Sequence, residues 1–201
     1  SDGAALGLEI GYGLISLVDE RKDAPLIGRI TGIRRQLSRE LGFVVPMIRV
    51  KDNLALGPNQ YRITIAGVVV GEDEIFPDDL LALDRAAQDP TFGLDAVWIG
   101  ADRRSEAVVS GYTVVDPSTV IATHINHLIL QNAAELFGMD EAKKLLDTLR
   151  DVTPQLVDGL TPNPLSLAQI AALCRGLLIE GIPLKDFRRI AEAMVIVARP
   201  D

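Results

Sequence analysis

The chain has 201 residues, 48% hydrophobic and 24% charged, which excludes a disordered or fibrous protein and supplies a sizeable core for one large unit or two to three small ones. A formal net charge of −8 opposes a phosphate backbone, and aromatic residues at 4% leave few stacking platforms, so no nucleic-acid partner is expected. A single cysteine, Cys174, excludes an intramolecular disulfide.

The opening AALGLEIGYGLISLV is broken by Gly7, Gly11 and Gly13 and predicts strand, turn, strand. Leu26, Ile30, Ile33, Leu37 and Leu41 recur at spacings of three and four, an amphipathic helix over 24–41 that Gly42 stops. FVVPMIRVKDN and YRITIAGVVVG are β-branched and predict two or three antiparallel strands, the latter pair joined by a tight turn at Ala66-Gly67. Between Pro77 and Gly111 the chain is turn-rich, with two short apolar runs, LLAL and AVWI, and a short helix over 102–110, followed by the strand YTVV. This stretch predicts a small strand-based subdomain.

From Asp116 the texture becomes helical. Asp116-Pro117 is a cap followed by proline at the first helical position, opening a helix that should run to about Phe137. Gly138 ends it, a helix over 140–150 follows, and Thr153-Pro154 repeats the cap-plus-proline signal. Ser166 and Gln169 make a capping box for a helix to about Ile179, and IPLKD leads to a last helix ending near Ala198. Cys174 lies in the apolar LAQIAALCRGLLI and reads as a buried small hydrophobe. The fold class is therefore α+β. No basic segment followed by an apolar one opens the chain, and no run approaches the ~20 apolar residues that span a bilayer, so the piece is expected to be soluble.

Catalytic constellations are absent from the pattern. His124 and His127, three apart on the long helix, could share a face, but zinc would want two further ligands, and no metal or cofactor is expected. G-Y-G at 11–13 lacks the third glycine and the following helix of a dinucleotide fingerprint, and there is no phosphate-binding loop motif. Glu72, Asp73, Glu74, Asp78 and Asp79 sit in polar surroundings where carboxylates stay ionised, unsuited to general-acid work. The pairs Arg34-Arg35, Arg103-Arg104 and Arg188-Arg189 read as solvated helix faces. No enzyme and no small-molecule substrate is expected, a small α+β enzyme being the reading of a different class.

The runs LEIGYGLISLVDE, GIRRQLSRELGFVVPMIRVKDNLAL, YRITIAGV, DPTFGLDAVWI, GYTVVDPSTVIATH and AELFG, in that order, cover nearly the whole chain. Together they resemble signature stretches of the FlhA family of flagellar type III export-gate proteins, in their cytoplasmic region. The resemblance implies a first mixed α/β subdomain (1–78 and 117–136), a small second α/β subdomain inserted within it (79–116) and a helical third (137–201). The membrane region and a fourth subdomain are expected to lie outside this piece of a bacterial inner-membrane protein.

By the same resemblance the work is noncatalytic recognition. The implied partners are flagellar export chaperones with bound filament-type substrates, other components of the export apparatus, and further copies in a ring, with a role in switching substrate specificity. The piece alone is expected to be monomeric or weakly associating at micromolar concentration. A virulence-type (injectisome) export gate is the alternative within the class, although DPTFGLDAVWI and STVIATH look flagellar. The family's docking dimple falls on Asp89, Phe92 and Thr123, with Val115 nearby. From the residues themselves two readings stay open: Phe92 beside Pro90 and Gly93 forms an apolar socket with polar groups around it, or Phe92 is core and Asp89 caps the Pro90 turn. One departure from the family is the connection between LLALD and DPTFGL, here only RAAQ.

Overall fold

Burial alternates along Leu6–Ile10 (β1), with Leu6, Leu8 and Ile10 inward, because successive side chains of a strand point to opposite faces. The computed structural model describes residues 5–84 and 96–199. Its architecture is α+β, as expected, with two small sheets. Two compact units are distinguished: Ser1–Arg34 with Pro46–Gln131, and Arg35–Val45 with Asn132–Asp201. Helix α1 (Pro25–Leu41) contributes its first ten residues to the first unit and the remainder to the second.

In the first unit, β1 lies inside a four-stranded sheet of order β2-β1-β3-β4, with β2 at Ile48–Asp52, β3 at Gln60–Ile65 and β4 at Val68–Glu74. β1 and β2 are parallel, Leu6 opposite Ile48, whereas antiparallel strands were expected after the helix. The reason is topological: α1 is a crossover that returns the chain to the same end of the sheet, the connection parallel strands require. The β3–β4 hairpin turns at Ala66 (φ 51°) and Gly67 (φ 81°), both in the positive-φ region that a tight two-residue hairpin demands.

The second strand anticipated in the opening segment is instead a 3-10 turn, Tyr12–Leu17. The Gly11 and Gly13 amides donate to the carbonyls of Gln60 and Pro58, holding this segment against the connection before β3. Leu14 and Leu17, three apart and both buried, fit three residues per turn. FVVPMIRVKDN is likewise extended only from Ile48 onward.

The second sheet has order β6-β5-β7, with β5 at Asp79–Leu83, β6 at Ala96–Gly100 and β7 at Thr113–Val115. Helix α2 (Arg104–Val109) joins β6 to β7 and ends near Gly111, whose φ of 95° suits glycine. Helix α3 (Pro117–Gln131) carries the helical face of the unit's core, burying Val120, Ile121, Ile125, Leu128 and Ile129. Gly71 of β4 makes room for it: a Cβ there would lie 2.6 Å from Leu128 Cδ1 and 2.9 Å from His124 Nε2. The helix expected to continue to Phe137 stops at Gln131, and a separate 3-10 turn, Ala133–Leu136, begins the second unit's stretch.

The second unit is helical: α4 (Met139–Val152), α5 (Pro154–Asp158), α6 (Leu167–Ile179) and α7 (Phe187–Ala198). Phe43 meets Phe137 edge to face at a centroid distance of 5.1 Å. The Leu184 amide donates to the Leu41 carbonyl at 2.7 Å, beside Gly42. The Ser166 capping box is reciprocal, the Gln169 amide donating to Ser166 Oγ and the Ser166 amide to Gln169 Oε1. Thr153 makes no side-chain cap; its amide donates to the Leu149 carbonyl, ending α4 where α5 begins.

Candidate functional site

The β7–α3 junction carries two of the four anticipated site residues. Val115 is the last residue of β7, half-buried and opposite the buried Leu81 of β5. The next residue, Asp116, stops the strand and starts the helix: its Oδ1 accepts from the Thr119 amide at 2.8 Å. Pro117 follows at the first helical position, where no amide hydrogen is needed. Thr123 stands in the second turn, half-buried like Thr119 one turn before it. Thr119 and Thr123, four apart, share a helix face with lower burial than the face of Val120, Ile121 and Ile125. The other two, Asp89 and Phe92, lie outside the described residues.

Arg29 of α1 reaches Asp116, Nη2 to Oδ2 at 3.2 Å. Partial burial pushes the Asp116 carboxyl up, and the Thr119 amide and hydroxyl with the Arg29 guanidinium outweigh it, so the group sits below the ordinary carboxylate value. Asp116 is thus an ionised, hydrogen-bonded cap, with no poise for proton transfer.

Candidate reactive side chains elsewhere are used internally. His124 is buried, and its Nδ1 lies 2.6 Å from the Tyr61 hydroxyl, with the rings edge to face at 5.6 Å. Burial, followed by the charge of Asp73, pushes the Tyr61 hydroxyl far up, so it remains protonated. The residues are 63 apart in sequence, and no local pattern announces the pair. Cys174 is buried and its thiol is pushed up to about 12 by that burial, Arg175 only partly opposing it. Its thiolate is scarce at neutral pH, as a structural cysteine requires. Among the described residues no three His, Cys, Asp or Glu side chains gather as a metal site, and no helix is long and apolar enough to cross a membrane.

Comparison with known proteins gives a consistent picture. The model of the FHIPEP family matches residues 2–201. The chain is 42% identical over 200 residues to the flagellar biosynthesis protein FlhA of Escherichia coli (strain K12), covering 94% of this chain but only 29% of that protein. The Chlamydia pneumoniae CdsV protein has the same fold over 100% of this chain and 62% of its own, with TM-score 0.82 at 22% identity. The nonameric EPEC SctV-C shares it with TM-score 0.71 at 19% identity, over 100% of this chain and 63% of that one.

Proposed function

This chain belongs to the FHIPEP family, and on that premise we propose that it is a noncatalytic part of the flagellar protein export apparatus. In this reading it is the cytoplasmic docking platform, within an inner-membrane protein, for export chaperones carrying filament-type substrates, and it takes part in switching substrate specificity. The observation that carries the proposal is the family match along almost the entire chain, joined to 42% identity with a flagellar FlhA. That identity favours the flagellar over the virulence-type reading.

The socket proposed for docking has Asp89, Phe92, Val115 and Thr123 around it. Its support comes from the β7–α3 junction. Asp116 and Arg29 tie the start of α3 in place, while Val115 and Thr123 on either side keep part of their surface uncovered. A half-buried valine at the end of the strand and a half-buried threonine in the second turn of the following helix would suit an apolar anchor from a partner with one polar orienting contact. The subdomain scheme, 1–78 with 117–136, an insertion at 79–116 and a helical part at 137–201, draws support from the separate three-stranded sheet that begins at Asp79 and ends at Val115. A ring of copies is proposed by analogy with the nonameric SctV-C.

Pull-down with purified flagellar chaperone–substrate complexes tests the reading. Wild-type chain should retain them, and Phe92→Ala or Asp89→Ala should lose them while circular dichroism and thermal midpoint stay unchanged. Normal binding by both variants would overturn the site, and preference for effector chaperones would move the protein to the virulence-type class.

A further inference from the structure

The chain has two histidines, His124 and His127, and both lie on α3. Histidine is the side chain whose ordinary titration falls between pH 5 and 8. The thiol of Cys174, pushed up to about 12, is far outside that window. Side-chain response to mild acid is therefore concentrated on one helix. His127 is half-buried, whereas His124 is buried in the core of the first unit.

The surroundings of His124 fix its protonation state. Tyr61 is fully buried, so its hydroxyl has no access to water, and among the described residues its one hydrogen-bond partner is His124 Nδ1 at 2.6 Å. A buried O–H without an acceptor is costly, so the hydroxyl donates and Nδ1 accepts. Nδ1 thus bears no hydrogen, and the neutral ring carries its proton on Nε2, the nitrogen that lies against Gly71 of β4. Asp73, opposite Tyr61 on the same face, is exposed and accepts from the Glu74 amide. Arg62 and Glu72 pair with each other on the other face of the hairpin. β1 and β5 turn Ile10 and Leu83 inward, and Asp116 at the start of α3 is engaged with Arg29 of α1 and the Thr119 amide. Asp73 brings its charge from a water-screened position, so burial of the ring decides in favour of the neutral form. A second ring hydrogen, on Nδ1, would face the Tyr61 oxygen and turn the O–H from its acceptor, while the ring took on a buried charge.

We propose that His124 is an acid-responsive catch: neutral, it accepts from Tyr61 and holds the first turns of α3 on the β3–β4 hairpin, and on protonation it releases them, so that docking beside the adjacent Thr123 weakens on acidification. The link to docking rests on the proposed role of Val115 and Thr123; the catch itself does not. The closed arrangement requires the neutral ring, and the open one protonates near the ordinary histidine value of about 6.5, so the catch is fully held above that pH and loosens below it.

The test is hydrogen–deuterium exchange on the full chain at pH 7.5 and 5.5, corrected for the intrinsic pH dependence of amide exchange. Opening of β3, β4 and the start of α3 should rise about tenfold at the lower pH, with α6 of the second unit unchanged. His124→Asn, which keeps an acceptor near the place of Nδ1 but cannot titrate, should abolish the rise; His127→Gln should retain it. In wild type the His124 ring, followed by nuclear magnetic resonance, should be the Nε2–H tautomer at pH 7.5 and titrate below about 6.5. Equal opening at the two pH values, a rise that survives in His124→Asn, or a His124 midpoint at or above 6.5 would overturn the catch. In pull-down, wild-type chain should retain less chaperone–substrate complex at pH 5.5 than at 7.5, and His124→Asn should not show the drop; an equal drop in both would overturn the link to docking. Wild-type chain that retains no complex even at pH 7.5 would instead defeat the docking reading, and exchange and titration would still decide the catch.

Discussion

Gly42 (φ 84°) and Gly67 (φ 81°) have nearly the same backbone yet carry different obligations. At Gly67 a Cβ would meet nothing within 4 Å, so Gly67→Ala should cost only the left-handed penalty, about 1–2 kcal/mol. At Gly42 a Cβ would lie 2.2 Å from the backbone of Leu184 and Lys185, which cannot swing aside as a side-chain tip can. Gly42→Ala should therefore lower the urea midpoint by clearly more than Gly67→Ala; equal effects would show that the close approach to Leu184 is not what requires the glycine. Tyr61→Phe removes the hydroxyl from His124 Nδ1 in a buried place, for an expected loss of about 1–3 kcal/mol in denaturant titration. The sequence marks these residues unequally. Gly42 and Gly67 stand where a helix stop and a hairpin turn were expected, whereas the Tyr61–His124 bond and the Arg29–Asp116 pair join distant stretches and have no local signature.

At the scale of elements, the caps at Asp116 and Ser166 were legible because their chemistry is confined to four residues, whereas Thr153, with the same signal, makes no side-chain cap. Ser166→Ala should cost about 1 kcal/mol, read as a lower thermal midpoint. Asp116→Asn keeps a capping oxygen but removes the charge, which isolates the electrostatic part. Because the Asp116 carboxyl is held below its ordinary value of 3.8, it contributes stability above that pH and loses it as pH falls through the lowered value. The stability difference between wild type and Asp116→Asn should thus be steady near neutrality and shrink as the pH falls below the ordinary carboxylate value. A difference that persists there would mean the variant acts through something other than the charge. Strand direction was not legible: Ile48–Asp52 has the composition of a strand, but only the crossover through α1 decides that it runs parallel to β1. Nor was the turn at Tyr12–Leu17, because short apolar runs fit a strand and a tight helix equally well.

For the molecule as a whole, each unit has its own core, with Leu8, Tyr61 and Ile125 in the first and Leu160, Ile170 and Cys174 in the second. Leu8→Ala and Ile170→Ala should each cost about 2–5 kcal/mol, and each should speed amide exchange chiefly within its own unit. Uniform acceleration throughout the chain from either variant would show one cooperative body instead. The change of texture at Asp116 marks where α3 begins, but the division between units falls after Gln131 and also draws Arg35–Val45 into the helical unit. That assignment depends on packing at long range, which periodicity along the chain does not record. Of the candidate socket, the junction at Val115 and Thr123 follows from a local cap, so its frame could be read from residues 115–123.

The order β2-β1-β3-β4 also bears on how the first unit comes into being. Among the described residues β1 is the earliest strand in sequence but fills an interior place, with Leu6 opposite both Ile48 and Ile65. Among the described residues β2 pairs with β1 alone, so it joins the sheet through that strand. The β3–β4 hairpin can close locally, while both of β1's pairings must close much longer stretches of chain and so carry a larger loop-closure entropy. During synthesis β1 therefore emerges ahead of both strands it pairs with, and its place between them is filled only once Ile48–Asp52 and Gln60–Ile65 have been made.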